Sequence, residues 1–349
     1  MSYYEQRLSE DTDQLMVEVS RLADMVDKGL EDAVRALRTL DADLAYATIL
    51  RDGPINRLTE RIEADSHRFI AKHLPSGAHL RFVSSTMRIG VLLERMGDYA
   101  VTISRHVPQM ETPLSGAFER EVSSMAQDAL QMFRQAMEAF RTRDESLARG
   151  TMGFAQQVDR DYVNALSMLR EQNPDRVSVE DLFSRLVIIR QLERVSDQAK
   201  NLCEETVFAL TGETKQRKPV RILLVDQRDD GLGHFVAAFA QKQYADKVSI
   251  TTAGVTPANE LDADALAFLL EDGHEVKTRK PKGLADLADP IASFKAVVGL
   301  DTDSLDKVGR LPFQTVGVRW EVSDPSDLER SAQELSSQLG DLVDLLRGR

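Results

Sequence analysis

Apolar residues recur every three or four positions through the first two hundred residues. Leu15, Val19, Leu22, Val26, Leu30, Ala33, Leu37 and Leu40 trace one stripe, the pattern of a helix that buries a single face. Asp41 and Asp43 then mark a turn and a cap for the next helix, and Pro75 and Gly77 break the chain before a third, near 81–106. Past residue 219 the period changes. The β-rich runs RILLV (221–225), KVSITT (247–252), KAVVGL (295–300) and TVGVRW (315–320) alternate with helical stretches at 233–244, 260–272 and 326–346. Such alternation predicts a parallel sheet with helices on its faces. The change falls at TGETKQRKP (211–219), a polar stretch ending in Pro219.

An internal repeat organises the first half. ALRTLDADLA (36–45) returns as AFRTRDESLA (139–148), six of ten positions identical at an offset of 103. Further on the offset is 99: VLLERMGDYA (91–100) matches RQLERVSDQA (190–199). Each unit reads as three helices, and two such units stack into an all-α bundle. The expected organisation is therefore a first repeat over 1–110, a second over 111–213, a linker at 214–219 and an α/β domain over 220–349.

Composition narrows the function. The formal net charge of the 349 residues is −13, which argues against a general nucleic-acid binder. With one cysteine, Cys203, neither an internal disulfide nor a Cys-rich zinc site can form; Cys203 reads as a buried, inert thiol. His73 and His106 stand near predicted helix ends and read as capping or surface residues. No apolar run reaches 18 residues and no signal peptide opens the chain, so a cytoplasmic protein is expected.

Paired carboxylates are the strongest chemical signal. Glu94 and Asp98 lie four apart on a predicted helix, and Glu193 and Asp197 repeat the arrangement. Like charges at this spacing repel by a few tenths of a kcal/mol. A divalent or ferric cation bridging the oxygens would remove the repulsion. A solvated helix face, with Arg95 and Arg194 as neighbours, is the competing reading, and both stand on the sequence alone.

These strings, LERMGD (93–98) and LERVSD (192–197), with INRLTERIE (55–63) and LPSGAHLRFVSS (74–85), resemble the PhoU family of phosphate-uptake regulators over roughly residues 5–210. The resemblance implies metal ions at Glu94, Asp98, Glu193 and Asp197. It also implies contact with a phosphate ABC transporter and a sensor histidine kinase, with membrane association only through those partners. A homodimer is expected. The family's Gly before the Asp is kept as Gly97 but replaced by Ser196. The Asn56…Glu60 string becomes Asp159…Val163 in the second repeat.

The segment ILLVDQRDDGLGHFVAAF (222–239) resembles the entry of low-molecular-weight tyrosine phosphatases and thioredoxin-linked arsenate reductases. TTAG (251–254), FKAVVGLD (294–301) and RWEVSDPSD (319–327) follow in that family's order. The family's chemistry needs a Cys and, six positions later, an Arg around the phosphate. Here Asp226 and Leu232 occupy those places, and Asp229 and Asp230 lie in the loop between them. Asp324 would match the family's general acid, but an acid without its nucleophile performs no catalysis. The expectation is a non-enzymatic, metal-binding regulator of phosphate uptake and signalling with a degenerate phosphatase-like domain. The competing reading is a metal-dependent hydrolase using Asp226 or the paired carboxylates.

Overall fold

The computed structural model describes residues 3–172, 177–214, 219–271, 280–323 and 327–347. Two compact units divide the chain, Met1–Lys215 and Gln216–Arg349. The expected linker falls largely outside the described residues.

The first unit is helical, with no strand among its described residues. Its helices are α1 (Tyr3–Thr39), α2 (Ala42–Leu50), α3 (Asp52–His73), α4 (Gly77–His106), α5 (Gly116–Thr142), α6 (Glu145–Met152), α7 (Ala155–Arg170) and α8 (Val179–Thr211). The stripe from Leu15 to Leu37 is buried along α1. The repeated sequence at 36–45 and 139–148 is one local device used twice. Leu40 and Arg143 take the left-handed conformation (φ 50° and 55°), and the following aspartate caps a short helix. Asp41 Oδ1 accepts the Leu44 N–H at 2.9 Å, and Asp144 Oδ1 the Leu147 N–H at 2.9 Å. The predicted middle helix of each repeat is broken, at Arg51 in one and at Gly153 and Phe154 in the other. Each three-helix repeat therefore has four segments.

The last helices of the two repeats, α4 and α8, pack antiparallel against each other. Arg81 Nε donates to the Ala209 carbonyl at 3.4 Å near one end, Arg88 pairs with Glu205 at 3.1 Å, and His106 Nδ1 lies 3.1 Å from Ser184 Oγ near the other. The two ends of the pair are thus related by the repeat. Gly97 lets α3 approach, since a Cβ there would sit 3.3 Å from Ile55 Cγ2. Ser196 at the equivalent place is buried with its hydroxyl toward Met132 Sδ. His73 is not a surface residue: it is buried, and its Nε2 lies 2.6 Å from Asp11 Oδ2, tying α3 to α1. Cys203 is buried among apolar side chains, which push its thiol up to about 12 and keep it protonated and inert.

The second unit contains β1 (Val220–Asp226), α9 (Leu232–Tyr244), β2 (Val248–Gly254), α10 (Ala263–Glu271), β3 (Ala296–Gly299), α11 (Ser304–Lys307), β4 (Val316–Arg319) and α12 (Leu328–Arg347). The strands pair in parallel in the order β2-β1-β3-β4. β1 is buried on both faces, Ile222 and Leu224 in one core and Leu223 and Val225 in the other, which explains its unbroken apolar run. The connection from β1 runs to β2 on one side and that from β3 to β4 on the other, so a crevice opens at the carboxyl ends of β1 and β3.

Gly254 ends β2 against the loop that follows β1. A Cβ there would lie 2.8 Å from the Arg228 carbonyl carbon. Gly254→Ala is expected to lower the stability of this unit by about 1–3 kcal/mol through overpacking. The buried Trp320, the chain's one tryptophan, reports it by fluorescence in a urea titration.

Candidate functional site

Glu94 and Asp98 sit one turn apart on α4, Glu94 half-buried and Asp98 exposed. Burial first, then the charges of Asp98 and Asp52, hold the Glu94 carboxyl above its ordinary value, with Arg95 opposing. Asp98 is raised likewise by burial and by Asp52. Asp52, at the start of α3, is thus a third member that the sequence reading missed. Its spacing from Asn56 was the available signal: the two are an i, i+4 pair, and Asn56 Nδ2 donates to Asp52 Oδ2 at 3.1 Å. Asp52 Oδ1 and Asn56 Oδ1 are both buried with no donor.

In the second repeat Glu193 and Asp197 on α8 feel the charge of Asp159 on α7 or lend it theirs. Glu193 is 12% exposed, and its Oε1 meets Arg190 Nη1 at 2.9 Å. Its Oε2 is buried and has no donor. Burial raises the Glu193 carboxyl; Arg190 opposes the rise, and Asp197 and Asp159 add to it. Asp159 is raised by burial and then by Asp197. The replacement of Asn56 by Asp159 therefore exchanges an amide for a carboxylate beside the pair.

The donor set suits a hard cation. It consists of carboxylate and amide oxygens, three of them buried without a proton donor, and a positive ion would relieve their repulsion. Among the described residues no three His, Cys, Asp and Glu side chains are gathered to hold a metal ion as they stand. The carboxylates would have to turn inward to meet one.

In the second unit Asp226 ends β1 at the crevice. Its Oδ1 accepts the backbone N–H of Arg228 at 2.9 Å and that of Asp229. The loop amides that would face an anion are thus turned onto the chain's own carboxylate. Burial pushes the Asp226 carboxyl up to about 6; the two backbone donors oppose this, and the nearby Asp229 and Asp230 reinforce it. Asp229 is buried in the left-handed conformation (φ 53°). Its Oδ2 accepts the Lys282 N–H at 2.8 Å, and His234 Nε2 lies 2.8 Å from its carbonyl oxygen. That buried carboxylate ties the loop to the segment at 282, and its Oδ1 lies 3.1 Å from His234 Nε2. Asp230 Oδ2 pairs with Arg228 Nε at 2.6 Å. Leu232 opens α9 and packs against the apolar core. Asp324 lies outside the described residues.

Residues 19–107 and 122–206 each match the PhoU domain. The helical unit belongs to the PhoU family. A "Phosphate-specific transport system accessory protein PhoU homolog" from Pseudomonas putida is 28% identical over 209 residues, 59% of this chain and 82% of the relative. The crystal structure of PhoU from Pseudomonas aeruginosa superimposes with a TM-score of 0.56 at 27% identity, covering 59% of this chain and 99% of that one. An arsenate reductase from Archaeoglobus fulgidus aligns with 35% of this chain and 98% of its own, at 18% identity and a TM-score of 0.29. Both PhoU matches fall on the helical unit, which places Glu94, Asp98, Glu193 and Asp197 within PhoU domains. No described helix is long and apolar enough to cross a membrane.

Proposed function

We propose that the chain is a non-enzymatic regulator of phosphate transport that binds divalent or ferric cations through its two PhoU domains. The observation that carries this reading is the doubled set of carboxylates, Asp52, Glu94 and Asp98 in one domain and Asp159, Glu193 and Asp197 in the other, with two of their oxygens and that of Asn56 buried and lacking donors. A bound cation would supply the positive charge that the clusters lack. Fixed on the α4 and α8 surfaces, it would stiffen the face offered to partners. Those partners are a phosphate ABC transporter and a sensor histidine kinase, met at the cytoplasmic side of the membrane by a dimer of this chain. The relatives' shared name, phosphate-specific transport system accessory protein, supports the transporter.

Cells lacking the protein are expected to keep phosphate uptake high in phosphate-rich medium, and the intact gene to restore repression. Radiolabelled phosphate uptake measures this. Identical uptake with and without the protein would remove the regulatory reading.

The second unit is read as a pseudo-phosphatase, because Asp226 and Leu232 stand where the nucleophile and the anion-binding arginine are needed and Arg228 is already paired. A hydrolytic reading has one observation in its favour: burial pushes the Asp226 carboxyl up to about 6 in a crevice. No turnover of an aryl phosphate is expected from the full chain between pH 5 and 8, with or without manganese. Turnover abolished by Asp226→Ala would reverse the assignment.

A further inference from the structure

The pseudo-twofold relation between the repeats makes the two ends of the α4/α8 pair comparable position by position. At one end the chain leaving α4 closes the bundle. Met110 and Leu114 are buried there, and Leu40 packs onto the core from the end of α1. The offsets of 103 and 99 carry Leu40 to Arg143 and Met110 to Ala209. At the second end a plug has thus become a cation, and α8 stays helical to Thr211 where α4 has already ended at His106, so the methyl group of Ala209 faces the space that a closing chain fills at the first end. A cavity of about 130 Å³ lies there, with Phe82, Phe140, Ala209 and Leu210 in its wall. It shares Thr12, His79 and Arg143 with an outer groove of about 460 Å³.

The polarity of this cavity is divided. Its floor is aromatic and aliphatic, Phe82 and Phe140 lying parallel with ring centres 6.0 Å apart. The hydroxyls of Thr12 and Thr206 are spent on the carbonyls of Leu8 and Leu202 in their own helices. The rim is basic. The Arg143 guanidinium lies over the Phe82 ring at 5.6 Å, and neither it nor the His79 ring has a hydrogen bond or carboxylate partner among the described residues. The first turn of α4, which contributes Ala78 and His79, carries no acidic residue and no side-chain cap. Its free N–H groups add to the positive rim. Asp13 and Glu5 line only the outer groove, where Arg141 is held by Asp24 at 2.5 Å.

We propose that this end of the helical unit binds a small amphipathic anion, a phosphonate or carboxylate bearing an apolar group of about benzene size. An apolar cavity of roughly 150 Å³ accepts benzene, so the volume sets the size of the apolar part. Arg143, His79 and the start of α4 select the charge. The site is distinct from the carboxylate clusters and uses none of their residues.

Phenylphosphonate is the probe, titrated calorimetrically into the full chain with a chelator present, so that failure of the metal reading leaves the result unchanged. Binding of one equivalent is expected, with inorganic phosphate and benzyl alcohol each at least tenfold weaker because each satisfies only half of the site. Arg143→Leu, which restores the residue of the first repeat, is expected to weaken phenylphosphonate at least tenfold. Ala209→Met, which fills the cavity from its wall and leaves the cation in place, is expected to do the same, so a folding defect in one variant leaves the other decisive. Absence of phenylphosphonate binding, affinity matched by benzyl alcohol, or affinity retained in a folded variant would each overturn the proposal.

Discussion

Asp181→Ala is expected to destabilise the helical unit by about 3–5 kcal/mol. Asp181 is fully buried near the start of α8. It accepts the backbone N–H groups of Glu111 at 2.9 Å and Thr112 at 3.0 Å, and the Thr112 hydroxyl. Arg185 completes the latch, donating to Thr112 Oγ1 at 2.8 Å and to the Pro113 carbonyl at 3.2 Å. Together they pin the connection between the repeats. Truncation would leave Arg185 buried with its counter-charge gone. Burial alone would raise the Asp181 carboxyl, but the bonds from Thr112 and Glu111 and the charge of Arg185 outweigh it and hold it below its ordinary value. Its stabilisation is therefore present above the unfolded carboxylate value of about 3.9 and lost as pH falls through the lower folded one. Urea titrations followed by circular dichroism should show the gap between parent and Asp181→Ala narrowing toward acid. A cost below about 1 kcal/mol, or a gap independent of pH, would contradict the latch.

Replacing Glu94, Asp98, Glu193 and Asp197 together with alanine is expected to abolish metal uptake while helicity is retained. Elemental analysis of the untagged protein measures the first and circular dichroism the second. Unchanged metal content would refute the assignment. The same residues make a prediction about the metal-free protein. Glu193 is raised by burial, with Asp197 and Asp159 adding to the rise against Arg190. A raised folded value means that the metal-free protein is stabilised below the unfolded value of about 4.3 and loses that contribution as pH climbs through the folded one. Glu193→Gln removes the charge, so its stability relative to the metal-free parent should increase with pH. Relief of a buried carboxylate with one oxygen lacking a donor corresponds to about 1–3 kcal/mol. With metal bound the order should reverse, since the parent then gains binding energy that the variant lacks. A site that is costly without its ligand is the usual mark of binding in place of packing. A purely solvated helix face would show neither the pH trend nor the reversal.

The sequence determined the helices and strands because their causes are local. Periodicity of three and four along α1, the Asp41 and Asp144 caps, and the apolar run of β1 each act within a few residues, so they can be read without the fold. The internal repeat was equally legible, and with it the pairing of Glu94/Asp98 with Glu193/Asp197, since a helix fixes which neighbours share a face.

The tertiary structure decided what those residues meet. Asp52 joins Glu94 and Asp98 only because Gly97 lets α3 close on α4. Asp159 changes from a departure in the repeat to a member of the second cluster because α7 packs on α8. The loop after β1 has amides in any sequence, but the chain path turns two of them onto Asp226, which neither composition nor spacing could announce. The exchange of Leu40 for Arg143 reads as an ordinary substitution until the two ends of the bundle are compared. Only then does a missing plug become a cavity, because packing depends on volumes brought together from α1, α4, α5 and α8, far apart in the chain.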